Sequence, residues 1–132
     1  MAFGRLDFLY TPSVDVARDA GELVRLLGAE LVFAIDSGGT RVAMLRFGPE
    51  PPAILLTDHL EGLRPILVYA TDDLGATTAE LTLRGWQAGR AIDLPPGPAV
   101  SFELASGHRF ALYQPIRPAV LASFEGRRDF EV

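Results

Sequence analysis

Two reactive residue types are missing from this chain of 132 residues. There is no cysteine, which excludes disulfide bonds, thiolate nucleophiles and thiolate metal sites. Lysine is also absent, because all 12 basic residues are arginine. No side chain can therefore form a Schiff base with a carbonyl substrate. We interpret the missing lysine as a composition bias of the kind found in GC-rich bacteria.

Positive charge and long apolar runs are scarce as well. The formal net charge is −5, and arginines do not cluster as they do on nucleic-acid-binding surfaces. We expect no nucleic-acid partner, and the acidic balance mildly favours a cationic small ligand. No apolar run approaches the roughly 18 residues of a membrane-spanning helix. The opening MAFGRLDFLY lacks the basic and apolar regions of a signal peptide. These absences predict a cytoplasmic protein with no membrane partner.

The sequence contains enough apolar material for one compact domain. Hydrophobic residues make up 48% of the chain, a proportion typical of globular proteins. A chain of 132 residues can bury a sizeable core. We therefore expect a single domain over residues 1–132.

The first half of the chain is predicted to form a strand, a helix and three further strands. RLDFLYT alternates as a strand does, and Asp15 then precedes the helical segment VARDAGELVRLLG, which Gly28 ends. AELVFAID and RVAMLRFG flank the turn SGGT as a hairpin, and AILLT follows a proline-rich link. The helix is predicted to pack on the core, and its apolar residues recur at roughly helical spacing at Val16, Leu23, Leu26 and Leu27.

The second half repeats this order. RPILVYAT predicts a strand, Asp72 or Asp73 caps a helix through AELTLR, and Gly85 ends that helix. WQAGRAIDL and PAVSFELA are strands that flank the turn PPG, and HRFALYQP is the last strand. The capping aspartates and the helix-ending glycines recur at nearly the same interval in both halves. The sequence therefore predicts two βαβββ modules at about residues 5–58 and 64–115, with HLEGL as the linker and 116–132 as a C-terminal tail.

Such a module has a physical reason to be doubled. A curved four-stranded sheet with one helix behind it leaves its other face uncovered. Two such sheets side by side form a cup lined by the open faces of both, and a concave lining of this kind is the usual place for a ligand. The expected fold is α+β, with two tandem βαβββ modules forming a curved mixed sheet around a central cup.

The closing segment FELASGHRFALYQP carries the most specific resemblance to a known family. The vicinal oxygen chelate superfamily commonly has F-x-D-P-D-G-N-x-I-E-L-x-x-P here, and this chain matches it at Phe102, Gly107, Leu112 and Pro115. That superfamily includes glyoxalase I, extradiol dioxygenases, fosfomycin-resistance enzymes and bleomycin-resistance binding proteins. The resemblance spans roughly residues 5–115 and implies a glyoxalase-like fold.

The resemblance also implies where a metal would bind, and those positions lack ligands. Catalytic members of the superfamily hold a divalent metal with His and Glu side chains from four strands. The equivalent positions here are Phe8, Pro65 or Ile66, Ala111, and one residue within Ala53–Leu55. None of these side chains can ligate a metal. We therefore expect no metal, no other cofactor and no catalytic residue. His59 and His108 together fall short of a metal signature.

The predicted ligand-binding residues lie on strands that would line the cup. Phe8 and Tyr10 share one face of the first strand, and the alternative is that such residues only fill the core. Trp86 either reaches over the mouth of the cup or holds helix to sheet. Arg46 and Glu103 either contact the ligand or face solvent. The full predicted set is Phe8, Tyr10, Arg46, Leu55, Thr57, Trp86, Glu103, Ala111 and Tyr113.

Three functions are compatible with this pattern. The favoured one is a metal-free protein, not an enzyme, that sequesters a hydrophobic or cationic aromatic compound, as bleomycin-resistance members do. The alternatives are a metal-dependent lyase or dioxygenase with displaced ligands, and a structural or regulatory domain. We also expect a homodimer, because members of the superfamily commonly complete their cups from two chains. The apolar strand AILLT would otherwise leave a sheet edge open to water.

Overall fold

The structure is a computed structural model that describes residues 3–87 and 89–132. Its strands are β1 (Leu6–Pro12), β2 (Glu30–Ser37), β3 (Thr40–Arg46), β4 (Ala53–Thr57), β5 (Ile66–Ala70), β6 (Ala91–Leu94), β7 (Gly97–Glu103) and β8 (Arg109–Tyr113). Its helices are α1 (Val16–Leu27), α2 (Leu74–Leu83) and α3 (Pro118–Phe124). The strand predicted over WQAGRAIDL begins only at Ala91, and one of its residues, Ala88, lies outside the described residues.

The chain forms two compact units. The first-module unit comprises Phe8–Pro65 and Phe124–Val132, and the second-module unit comprises residues 3–7 and Ile66–Ser123. The strand order is β2-β3-β4-β1 in the first-module unit and β6-β7-β8-β5 in the second-module unit. The parallel pairs are β1 with β4 in the first-module unit and β5 with β8 in the second-module unit. The other neighbouring strands within each unit are antiparallel. The predicted α+β fold of two βαβββ modules is confirmed.

Helix α1 begins and ends at the residues predicted from the sequence. The Asp15 side chain accepts a hydrogen bond from the backbone N–H of Arg18, as an N-cap does. Gly28 has a φ of 74°, which a residue without a Cβ adopts readily. The backbone N–H groups of Gly28 and Ala29 then donate to the carbonyls of Val24 and Leu23, which closes the helix end.

The core face of α1 differs from the prediction in its last turn. The buried residues of α1 are Val16, Ala20 and Gly21, all in its first two turns. Leu26 and Leu27 were expected on the core face, but they are 76% and 64% exposed. This expectation is wrong for Leu26 and Leu27, because in the last turn it is Val24 that packs against the core cluster.

Strand β4 corrects a second expectation. AILLT was predicted to be a sheet edge, but β4 pairs antiparallel with β3 on one side and parallel with β1 on the other. Its backbone groups are therefore satisfied within the first-module unit. The homodimer stays a prediction, without the support that an open β4 edge would have given it.

Helix α2 is capped by two side chains from different parts of the second-module unit. Asp73 accepts a hydrogen bond from the backbone N–H of Ala76, so it is Asp73 and not Asp72 that fills the N-cap position. The Gln114 side-chain oxygen accepts from the backbone N–H of Leu74 at 2.9 Å. The helix ends before Gly85, whose φ is 97°. Two helix-terminal N–H groups are thus satisfied, one of them from the end of β8.

The last part of the C-terminal tail, Phe124–Val132, completes the first-module unit. Backbone hydrogen bonds join Gly126 to Val32, and Arg127 and Asp129 to Ala34, so the tail covers the β2 edge of the sheet. Phe130 is 9% exposed and belongs to the core cluster around Leu45 and Leu56. The sequence predicted neither this pairing nor helix α3.

Within the described residues, no helix is long and apolar enough to span a membrane.

Candidate functional site

One face of the first-module sheet carries four of the predicted ligand-binding residues. Leu9, Ile54 and Leu56 line a groove with residues of α1. Since side chains alternate along a strand, their neighbours lie on the opposite face. These neighbours are Phe8, Tyr10, Leu55 and Thr57, and the register pairs Tyr10 with Leu55. The four residues stay predicted ligand contacts.

His59, two residues after the end of β4, connects two of these side chains. The Nδ1 atom of His59 lies 2.5 Å from the Thr57 hydroxyl oxygen, and its Nε2 atom lies 3.1 Å from the Tyr10 hydroxyl oxygen. Burial raises the pKa of Tyr10, and a hydrogen bond with Thr57 partly opposes this rise. Tyr10 is therefore a neutral hydroxyl at physiological pH, held in place by His59.

The chain positions equivalent to the metal ligands of the vicinal oxygen chelate superfamily carry side chains that do not fit a metal ion. In the second-module unit the register pairs Ile66 with Arg109 and Val68 with Ala111, so alternation places Ile66 on the face of Ala111. Ile66, Ala111 and Phe8 carry only carbon in their side chains. No group of three His, Cys, Asp or Glu side chains that could hold a metal occurs among residues 3–87 and 89–132.

The second-module unit contains a cleft of about 470 Å³, here called the Asp7 cleft. Its apolar walls include Phe3, Pro96, Pro115 and Leu121, and the charged residues that line it are Arg5, Asp7 and Asp72. Those three residues give the cleft one net negative charge. A cleft with apolar walls and a few polar groups is the common form of a small-molecule site.

Asp7 is held in this cleft by two side chains. It is 6% exposed, and a buried carboxylate is costly unless it is paired and hydrogen-bonded. The Tyr113 hydroxyl donates to Asp7 Oδ2 at 2.5 Å, and Arg5 Nε donates to Asp7 Oδ1 at 2.6 Å. Burial, followed by the hydrogen bond and the charge of Asp7, raises the pKa of Tyr113. Tyr113 therefore keeps its proton and stays a donor to the carboxylate.

The sequence predicts Tyr113 as a ligand-binding residue but gives no sign of Asp7. Asp7 alternates with Leu6 and Phe8 on β1, so it had the pattern of an outward-facing polar residue. Its partner Tyr113 lies 106 positions away in the chain, and no local signal connects the two. A buried carboxylate was therefore detectable only from the tertiary structure.

The remaining predicted residues lie outside the Asp7 cleft. Arg46 forms an ion pair with Glu30 across β2 and β3, with an N–O distance of 3.1 Å, and Glu103 is exposed at the end of β7. Trp86 donates its backbone N–H to Leu81 of α2. Its ring also contacts the edge of Phe102 on β7, with centroids 5.0 Å apart. These two contacts connect Trp86 to α2 and to β7, and its role in ligand binding stays a prediction. Ala111 is 5% exposed.

Solved structures of low sequence identity share the fold of this chain. A methylmalonyl-CoA epimerase from Mycobacterium tuberculosis has a TM-score of 0.71 at 19% identity, covering 86% of this chain and 89% of the other. A Streptomyces coelicolor methylmalonyl-CoA epimerase variant, in complex with 2-nitronate-propionyl-CoA, has a TM-score of 0.71 at 15% identity, covering 90% and 98%. The hypothetical protein BH1468 from Bacillus halodurans has a TM-score of 0.70 at 14% identity, covering 83% and 93%. No family model and no curated protein matches the chain. At these identities the likeness establishes the fold.

Proposed function

Because this chain has the fold of the vicinal oxygen chelate superfamily but no ligating side chain at the metal positions, we propose that it binds a small organic molecule without a metal ion. Lewis-acid chemistry needs a metal held by side-chain donors. Phe8, Ile66 and Ala111 supply none. The proposal therefore places the function in binding rather than in metal-dependent catalysis.

The observation that carries this proposal is the buried carboxylate of Asp7 in an apolar-walled cleft. Tyr113 and Arg5 fix both carboxylate oxygens, so the group is oriented before any ligand arrives. Pre-orientation reduces the entropy lost on binding. The cleft carries one net negative charge, and Phe3 and the prolines supply apolar contact area. The ligand class that fits is a hydrophobic or cationic aromatic compound.

The second candidate is an enzyme that acts on an acyl-CoA. It is favoured by the similarity to methylmalonyl-CoA epimerase structures, one of them in complex with methylmalonyl-CoA. For this candidate the metal ligands would have to be displaced from the family positions. In residues 3–87 and 89–132 the ligating side chains do not gather into such a group, so the binding function is the better supported of the two.

Three probes of similar size and different charge test the proposed site. Benzylamine is cationic, benzyl alcohol is neutral and benzoate is anionic. At a concentration of a hundred times its dissociation constant, a ligand adds about 2.7 kcal/mol to the free energy of unfolding. We expect benzylamine to raise the melting temperature most and benzoate least. Methylmalonyl-CoA, with and without a divalent metal, is measured in the same assay.

Two carboxylate variants locate the binding. Asp7→Asn removes one of the two carboxylates, and with it the net negative charge of the cleft. It should abolish most of the stabilisation by benzylamine while leaving that by benzyl alcohol unchanged. Glu50→Gln is the matched control, because Glu50 is an exposed loop residue outside the cleft. Equal stabilisation of the parent by benzoate, or unchanged benzylamine binding in Asp7→Asn, would contradict the proposal. So would a failure of all three probes, and metal-dependent stabilisation by methylmalonyl-CoA would favour the enzyme.

A further inference from the structure

Two apolar walls of the Asp7 cleft come from different segments of the second-module unit. Pro96 belongs to the turn between β6 and β7, whereas Pro118 and Leu121 belong to α3. A proline side chain has almost no conformational freedom of its own, so its place in the cleft is set by the backbone that carries it. The shape of the cleft therefore depends on what holds this turn to α3.

Arg117 directly precedes α3, and its side chain reaches back to the turn. Its Nε atom donates to the carbonyl of Pro95 at 3.2 Å, and its Nη2 atom donates to the carbonyl of Leu94 at 2.9 Å. Nη2 also donates to the carboxylate of Asp93. One planar guanidinium thus binds three successive residues at the end of β6 and the start of the turn.

The backbone of Arg117 makes the same connection. Its N–H donates to the carbonyl of Pro96 at 2.8 Å, and its carbonyl accepts a hydrogen bond from the N–H of Val120 in α3 at 3.1 Å. The residue is therefore bonded both to the turn that carries Pro96 and to the helix that carries Leu121. Arg117 is not among the described residues that line the cleft, so an effect on a ligand would have to pass through the walls.

We propose that Arg117 is a positioning residue of the Asp7 cleft, which holds the Pro96 wall and the α3 wall in place and so determines how tightly the cleft binds an aromatic ligand. The inference rests on the proposed function, because it takes this cleft as the ligand site. Walls that are already in place lose less entropy on binding than walls that the ligand must order. Since Arg117 acts on the shape of the cleft, it affects cationic and neutral ligands alike, whereas Asp7 acts on charge.

Arg117→Lys separates the geometry of this side chain from its charge. A lysine keeps the positive charge and can pair with Asp93, but its ammonium cannot reproduce the planar fork that also binds two carbonyls. Isothermal titration calorimetry with benzylamine and with benzyl alcohol gives the dissociation constants, at a temperature at which each variant is fully folded. We expect both probes to bind at least about fivefold more weakly than to the parent. The ratio of the two dissociation constants should stay within about twofold of the parent's ratio.

Two further variants complete the experiment. Asp93→Asn is conservative, because its amide oxygen still accepts a hydrogen bond from Arg117, and it should bind both probes within about twofold of the parent. Arg84→Lys is the matched control, since Arg84 ends α2, pairs with Glu80 and is not among the described residues that line the cleft. A merely structural role of Arg117 would lower the melting temperature of Arg117→Lys and leave its dissociation constants unchanged.

The outcomes distinguish this inference from the proposed function. Unchanged dissociation constants in Arg117→Lys, or equal weakening in Arg84→Lys, would overturn the positioning role and leave the cleft as the ligand site. Weakening of benzylamine alone would also overturn it, because Arg117 would then act on charge and not on shape. If the parent binds neither probe, the proposed function is wrong and the positioning role is wrong with it.

Discussion

Replacing Gly97 with alanine should cost more than about 3 kcal/mol of stability. Gly97 is the first residue of β7, and a Cβ built there overlaps the carbonyl oxygen of Gln114 and lies 3.2 Å from the backbone nitrogen of Ile116. These are backbone atoms, which cannot rotate away as a side chain can. The backbone after β8 would have to move.

That movement would also affect α2. The Gln114 side-chain oxygen accepts a hydrogen bond from the backbone N–H of Leu74 at the start of α2. The backbone N–H of Gln114 donates to the carbonyl of Pro98. Chemical denaturation gives the loss of stability, and Gly48→Ala is the control. Gly48 has no heavy atom within 4 Å of an added Cβ and no positive φ. Equal stability of the two variants would contradict a close contact between Gly97 and the Gln114 carbonyl.

Phe130→Ala should destabilise the protein by about 3 kcal/mol, because it removes a buried aromatic ring and leaves a cavity. Phe130 belongs to the core cluster that contains Val16 and Ala20 of α1. The guanidinium of Arg41 also lies 4.5 Å from the centre of the ring. The end of the tail, Phe124–Val132, thus contributes to the core of the first-module unit.

Two measurements distinguish this role of Phe130 from the effect of removing any aromatic side chain. Phe47→Ala, at a residue that is 56% exposed, should cost well under about 1 kcal/mol. Hydrogen exchange of the Ala34 amide, which donates to Arg127 in the tail, should accelerate in Phe130→Ala and not in Phe47→Ala. If the Ala34 amide exchanges equally in both variants, Phe130 does not anchor the tail.

Local chemistry made much of this fold predictable. An aspartate cap and a terminal glycine act on backbone groups close by in the chain, so Asp15, Gly28 and a cap at Asp72 or Asp73 were predictable from the sequence. The strands followed from apolar runs bounded by turn residues. The order of elements therefore predicted the two modules. The closing segment from Phe102 to Pro115 carried the family resemblance.

Features that depend on distant partners were not predictable. The run AILLT indicates a strand but does not say which strands flank it, so β4 was expected at an edge although it lies between β3 and β1. The pairing of residues 126–129 with β2 was not predictable for the same reason, because it joins segments that are far apart in the chain. Helix α3 had one local signal, Pro118 at its first position, but seven residues are too few for a clear period.

The candidate site was predictable only in part for the same reason. Tyr113 was selected from its strand face, and the expected absence of metal ligands at Phe8 and Ala111 followed from the family resemblance. Asp7 was missed because the residue that justifies its burial comes from β8. Leu26 was expected in the core because helical spacing alone does not reveal which apolar residues of a last turn become buried.

The most direct test of metal-free binding is native mass spectrometry of the purified protein. The protein is dialysed first against a buffer that contains divalent cations and then against metal-free buffer. The account predicts a mass per chain that equals the polypeptide, with no stoichiometric ion. Phe8, Ile66 and Ala111 offer an ion no donor atoms, so any ion acquired from the buffer should be lost on dilution. One divalent ion per chain that persists through dialysis into metal-free buffer would contradict the account.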